Sequence, residues 1–337
     1  MKAIICTKPG NLNFINLPEP KLTPGHAILK IKRINICGTD LHAFEGTQPY
    51  FNYPRILGHE LAGELVALDD VEGFTIGESV TIIPYFNCNA CLACRSGKPN
   101  CCANIKVCGV HIDGGMAEYY AVPSYSLVHS MGIQTEDLAM VEPLAIGAHG
   151  IRRAGVKEGE FVIVMGAGPI GLGTIEFARL AGARVIVLDV NAKRLAFAKE
   201  HMGAEFTINA LHPGNTEAVR EITRGDMASV VIDATGSQKA INNGLNFLGH
   251  GGTYVLIGLQ KGDLVFSHPE FHKRETTLMS SRNATREDFD HVMSVIREGL
   301  IHPTKYISET VPFEQAIPAF AEWTGAPNDL IKLAIQL

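Results

Sequence analysis

The chain is 337 residues long, carries a formal net charge of −6 and is 46% hydrophobic. That composition supports about two packed domains and excludes a disordered chain. It shows no basic excess suited to nucleic acid and no apolar run approaching a membrane span. The opening segment holds only four apolar residues in a row, Ala3 to Cys6, too few for a signal-peptide core, so the expectation is a cytoplasmic protein without nucleic-acid or membrane partners.

Residues 1–36 read as short strands and turns. Lys2–Cys6, Leu12–Leu17 and Ala27–Ile36 have strand composition, punctuated by Pro18, Pro20, Pro24 and Gly25. Then comes Cys37-Gly38-Thr39-Asp40-Leu41-His42, and further on Gly58-His59-Glu60. Cys37, His59 and Glu60 are all competent zinc ligands, and a catalytic zinc takes about three protein ligands and leaves one position open. Singly, a buried cysteine and a hydrogen-bonded core histidine would account for them as well.

Five of the eight cysteines fall between Cys88 and Cys102. Cys88, Cys91, Cys94 and Cys102 lie in one loop containing Gly, Asn and Pro. In a chain of this length with no export signal, such cysteines bind metal rather than pair as disulfides. Four thiolates from one loop satisfy the closed tetrahedral set of a structural zinc. Cys101 adjoins Cys102, so the fourth ligand is open by one place, and Cys6 and Cys108 are spare.

The stretch Phe161–Arg194 reads as strand, turn, helix, strand, acid. Phe161–Met165 is a short apolar run, and Gly166-Ala167-Gly168-Pro169-Ile170-Gly171 follows it. An apolar helical pattern then stops at Gly182, and Arg184–Leu188 leads to Asp189. This is the context a G-x-G-x-x-G needs to bind a dinucleotide. Gly166 permits the tight turn, Gly168 lets the backbone approach a pyrophosphate, and Gly171 lets the helix pack on the strand. Pro169 and Ile170 open the helix, whose free N–H groups face the phosphates. Asp189 suits a ribose diol and repels a 2′-phosphate, which favours NAD, while Lys193 and Arg194 leave room for some NADP tolerance.

Val230–Gly236 and Tyr254–Leu259 read as further buried strands with turns. Thr235, Gly236 and Gly258 fall at their C-terminal ends, where such sheets bind ligands. Leu278–Thr285, with Ser281 and Arg282, reads as the sheet edge and cofactor exit. Thr285-x-x-Asp288 predicts a capped helix start. Phe313, Ile317 and Phe320 mark a last helix, with Pro318 as an irregularity, and Lys332–Ile335 closes as a strand.

In order and spacing, these motifs resemble the zinc-dependent medium-chain alcohol dehydrogenase family, and within it the polyol and sugar-acid branch. The resemblance covers essentially the whole chain and includes Gly114-Gly115-Met116-Ala117-Glu118-Tyr119 and Val141-Glu142-Pro143-Leu144-Ala145. It implies an α/β fold. A GroES-like β-rich catalytic domain, residues 1–150 and 286–337, is split around a Rossmann domain with a doubly wound parallel sheet, residues 151–285. It implies NAD and two zinc ions per chain, one catalytic and one structural. Cys37 and His59 are implied ligands of the catalytic zinc, with Glu60 or Glu142 as the third. A helix-initiating acid before Pro143 is the plain alternative for Glu142. By the same resemblance Thr39 hydrogen-bonds the reacting oxygen and His42 passes the proton to solvent. Thr235, Gly236 and Gly258 flank the nicotinamide half, and Ser281 and Arg282 bind the cofactor near its exit.

The segments His268–Thr277 and Ser281–Thr285 resemble dehydrogenases of hexonates, such as L-galactonate or L-gulonate oxidised at carbon 5. A carboxylate substrate needs a cation, and Arg282 is a candidate for a two-bond grip. Sorbitol or another polyol, or threonine, is the alternative substrate. An NAD-binding sensor or structural protein with zinc is the alternative of another class. The family's habit predicts a homodimer or homotetramer.

Overall fold

The computed structural model describes residues 1–69, 71–325 and 330–337. The chain divides into two compact units, Met1–Pro143 with Ala284–Leu337, and Leu144–Asn283. Among the described residues no helix is long and apolar enough to cross a membrane.

The second unit is built on a six-stranded sheet. Its strands run in the order Phe206–Asn209, Arg184–Asp189, Phe161–Met165, Ala228–Asp233, Leu248–Leu256, Thr277–Ser280, and every neighbouring pair is parallel. Chain order reverses at Phe161–Met165, the switch point at which doubly wound sheets bind dinucleotides. Val162, Ile163 and Val164, with Val185, Ile186 and Val187, are all buried without polar interruption. Such continuous runs, rather than alternating ones, are what a parallel sheet covered on both faces requires. The helix Pro169–Leu180 starts with Pro169 at its first position, and Gly182, at φ +80°, lies just beyond its end.

The first unit holds a seven-stranded sheet. Six strands run in the order Leu127–His129, Ser79–Ile82, Glu60–Leu68, His26–Ile36, Lys332–Gln336, Ile307–Pro312, and Tyr119–Pro123 also pairs with His26–Ile36. A smaller three-stranded sheet joins Asn11–Asn16, Lys2–Lys8 and Arg55–Ile56. Leu29, Ile31, Ile34, Leu61, Leu65 and Ile335 pack together in the core. The register sets Asn35 opposite Glu60 on one side and opposite Ala334 on the other. The closing strand therefore lies one strand away from the strand that begins at Glu60, with His26–Ile36 between them. The helix Arg286–Arg297 has the predicted capping box of Thr285 and Asp288. Pro318 sits in the first turn of the helix Ala316–Gly325, where a missing N–H is tolerated.

Candidate metal and dinucleotide sites

Cys37 is the N-cap of the short helix Gly38–Glu45. The fully buried Asp40 carboxylate accepts hydrogen bonds from the N–H of Cys37 at 2.9 Å and of Gly58 at 3.1 Å. One carboxylate thus ties together the two turns that carry Cys37 and His59. The ligand atoms of Cys37, His59 and Glu60 lie within 4.8 Å of one another. Among the described residues, His59 Nδ1 and Glu60 Oε2 are buried without a hydrogen-bond partner, although His59 Nδ1 lies 3.9 Å from Asp40 Oδ1. Orphaned buried polar atoms are costly, and a thiol, an imidazole and a carboxylate pointed at one spot are a zinc donor set. Burial alone would lower the His59 pKa, but the charges of Asp40, Cys37 and Glu142 outweigh it and hold it well above the usual value. The pocket is built for positive charge, and its residues fit zinc.

Two carboxylates border this spot, each with a donor of its own. Lys332 Nζ donates to Glu60 Oε1 at 2.5 Å, with both side chains buried. The Tyr85 hydroxyl donates to Glu142 Oε1. Glu142 is in the first turn of the helix Val141–Ala154, so it is a helix-initiating acid and also a pocket residue. Burial pushes its pKa up to about 7, with Glu60 adding to the rise and His59, Tyr85 and Lys332 opposing it. Thr39 is half-buried in the helix turn after Cys37. His42 is exposed on the same helix, where its Nδ1 lies 3.1 Å from Thr47 Oγ1 and 3.3 Å from Glu45 Oε2. It is not part of the three-residue cluster.

Cys88, Cys91, Cys94 and Cys102 form a second cluster of ligand atoms within 4.8 Å. The cluster contains Cys102; its neighbour Cys101 is exposed and outside it. The N–H groups of Cys88 and Asn104 each donate to Cys102 Sγ at 3.3 Å, and Asn87 Nδ2 lies 3.7 Å from Cys94 Sγ. Backbone N–H groups at Ala90 and Cys91 bring the Cys88 thiol down to about 6, toward the thiolate that binds metal. Cys6 and Cys108 are buried and belong to neither cluster.

In the second unit the glycine turn has the expected anatomy. Gly166 has φ +96°, and a Cβ on Gly171 would stand 1.9 Å from Gly166 O. At Gly168 the nearest atom to a built Cβ is Arg194 Nη1 at 3.9 Å, so the backbone there faces open space. Asp189 accepts from the N–H of Ala167 at 2.6 Å and of Asn191 at 2.8 Å. Those bonds use one lone pair on each carboxylate oxygen and leave others for a ribose diol. Gly236 and Gly258 meet at the strand ends, since a Cβ on Gly258 would lie 2.1 Å from Gly236 N. Asp233 fixes that turn by accepting from the Thr235 hydroxyl at 2.5 Å and the Gly236 N–H at 3.1 Å. Ser281 is anchored by its N–H to Leu256 O at 2.8 Å, its hydroxyl is buried without a partner among the described residues, and Arg282 beside it is exposed.

Residues 23–134 match the alcohol dehydrogenase GroES-like domain, and residues 169–298 match the zinc-binding dehydrogenase family. L-galactonate-5-dehydrogenase from Escherichia coli strain K12 is 45% identical over 336 residues, covering 98% of each chain. The chain belongs to the zinc-binding alcohol dehydrogenase family. It is accordingly a dehydrogenase of the kind that uses zinc and a nicotinamide dinucleotide. The 2-dehydro-3-deoxy-L-galactonate 5-dehydrogenase of Pseudoalteromonas atlantica is 30% identical over 95% of each chain. An alcohol dehydrogenase from Escherichia coli CFT073, solved in complex with NADH, is similar at a TM-score of 0.94 with 30% identity, covering 100% of this chain and 99% of that one.

Three residues of this zinc-binding dehydrogenase escaped sequence reasoning. Asp40 stood inside a motif without a role, Tyr85 in an apolar stretch, and Lys332 in a closing strand. Only Lys332 carried a signal: a lysine in an otherwise apolar run that turns out buried asks for a partner.

Proposed function

We propose that this chain oxidises a secondary hydroxyl of a sugar acid to a ketone with NAD, and that L-galactonate or L-gulonate, attacked at carbon 5, is its substrate. The convergence of Cys37, His59 and Glu60 on one spot carries the alcohol chemistry. The 45% identity to an L-galactonate-5-dehydrogenase over nearly the full length supports the substrate class. In this reading the unit of Met1–Pro143 with Ala284–Leu337 is the catalytic domain and Leu144–Asn283 is the NAD-binding domain. Two zinc ions bind per chain, one at Cys37 and His59 with Glu60 or Glu142, the other at Cys88, Cys91, Cys94 and Cys102. The protein works in the cytoplasm, where these thiols stay reduced, as a homodimer or homotetramer.

Bound zinc supplies a Lewis acid that lowers the pKa of the substrate hydroxyl, and NAD supplies the hydride acceptor. The residues do the rest. Thr39 hydrogen-bonds the reacting hydroxyl and His42, at the surface, hands its proton to solvent. Asp189 binds the adenosine ribose, Gly168 and the helix N-terminus take the pyrophosphate, and Arg194 borders that turn. Thr235, Gly236, Gly258 and Ser281 shape the nicotinamide end. Arg282 grips the substrate carboxylate with two hydrogen bonds. The carbon gives up a hydride and the oxygen a proton, so the products are a ketone, NADH and a proton.

The test is NAD reduction, followed by absorbance, against hexonates, neutral polyols and threonine, with and without a zinc chelator. Chelator-sensitive turnover on one hexonate is the expected result. Turnover on neutral polyols alone would remove the sugar-acid assignment.

A further inference from the structure

Thirteen histidines occur in the chain, and His268 and His272 are the one pair spaced four positions apart. Both stand on the short helix His268–Lys273 of the second unit, which Ser267 precedes as N-cap. Four positions are just over one helical turn, so the two side chains leave the same face. Their ring centroids lie 5.9 Å apart, with the ring planes at 61°. Both residues are exposed. The helix joins the strand Leu248–Leu256 to the edge strand Thr277–Ser280, and the reaction proposed above gives it no part.

Two imidazoles at this spacing on one helix face are a metal-chelating pair. Among the described residues, no ring nitrogen of His268 or His272 takes part in a hydrogen bond or ion pair. Each neutral ring therefore keeps a lone pair for a metal. A metal bound at about 2.1 Å by one nitrogen of each ring sets the centroids about 5 Å apart, and exposed side chains reach that by small rotations. The nearby cations are turned elsewhere. Lys273 Nζ lies 3.9 Å from Glu270 Oε1, and Arg274 Nη2 lies 3.4 Å from Glu270 Oε2. Glu270 thus draws both positive charges to itself rather than to the imidazoles.

We propose that His268 and His272 form a surface site for a divalent transition-metal ion, separate from both zinc clusters. Imidazole nitrogen suits nickel, copper and zinc, and nickel and copper bind a given nitrogen site in the same order of strength as the general series of these metals. Two protein ligands leave the other coordination positions to water, so the site takes up and gives back its ion freely. The ion clips the first turn of the helix to its last. The last turn is itself anchored to the sheet, since the N–H of Gly251 donates to Arg274 O at 2.6 Å. Because the pairing of the rings exists only in the folded chain, occupancy stabilises the NAD-binding unit.

The experiment uses the full-length, zinc-loaded protein and nickel(II) as the probe, titrated by calorimetry, with zinc content measured before and after. Wild type is expected to bind one nickel per chain on top of its resident zinc and to gain Tm as nickel is added. His268→Ala and His272→Ala should each weaken nickel binding about a hundredfold, as when one of two linked contacts is lost, and abolish the gain in Tm. Both substitutions are at exposed positions, so Tm without nickel should stay at the wild-type value. A double variant, His272→Ala with Lys273→His, keeps the number of histidines but sets the rings five positions apart, on different faces. It should bind nickel no better than His272→Ala. Wild-type affinity in either alanine variant overturns the proposal. Wild-type affinity in the double variant does so too, because nickel would then be reading histidine number rather than spacing. Nickel uptake that occurs only as zinc leaves would place the ion in the zinc clusters and also overturn it.

Discussion

Cys37 has two duties. Its backbone starts a helix while its thiol faces His59 and Glu60, and Asp40 holds both turns in place through N–H groups. A carboxylate accepting two backbone N–H bonds is a rigid brace, because leaving those donors unpaired would cost about 1–3 kcal/mol each. Asp40→Ala should therefore separate the turns and lower catalytic-zinc content per chain, while the four-cysteine zinc stays. Retention of both metals in that variant would assign the brace elsewhere. Arg282 makes the substrate claim testable at the same scale. Arg282→Ala should raise KM about tenfold for hexonates, in keeping with about 1.5–3 kcal/mol for hydrogen bonds to a charged group, and leave neutral polyols unchanged. An equal loss on both substrate types would mean that Arg282 serves the cofactor.

The glycine turn and the cysteine loop are the elements most legible in sequence, because each is local. A strand, a turn with φ +96° at Gly166 and a helix that comes within van der Waals reach of that turn can be recognised from consecutive residues. Gly171→Ala should abolish NAD binding and cost stability, since the added carbon would stand 1.9 Å from Gly166 O and overpacking costs about 1–3 kcal/mol or more. Titration of the protein's fluorescence with NADH would show it, and near-normal affinity would refute the close packing. Cys94→Ser should remove one zinc per chain and lower Tm with little change in substrate KM, because a closed thiolate set stabilises the fold and does not bind substrate. Lys332 and Tyr85 were not legible for the opposite reason. Lys332 reaches Glu60 only after the closing strand pairs with His26–Ile36, a contact between residues 272 positions apart. Tyr85 meets Glu142 across 57 positions. Neither pairing leaves a trace in local periodicity.

At the scale of the molecule, the metal pocket couples folding to pH and to zinc together. Without metal, burial and the nearby Glu60 raise Glu142 to about 7 from a usual 4.5, and Asp40 with Cys37 raises His59 above 6.5 against its burial. A folded-state pKa above the unfolded value means the folded state holds its proton more tightly. The stability this provides is complete below the unfolded pKa and is lost as pH rises through the folded one. Both groups have this sign, so the metal-free protein should lose stability from about pH 5 up through about pH 7, where Glu142 ionises, and further as His59 gives up its proton. Zinc reverses the trend. It takes the ionised thiol, the neutral imidazole and the carboxylate, so binding releases protons and tightens as pH rises. A ligand that binds only the folded state stabilises it by an amount that grows with affinity. The Tm difference between zinc-loaded and metal-free protein should therefore widen steadily with pH. Glu142→Gln, which cannot ionise, should flatten the metal-free curve. Calorimetry of both forms across that range decides it. A constant gap would mean that no proton leaves when the metal enters, which a pocket of Cys37, His59 and two buried carboxylates cannot accommodate.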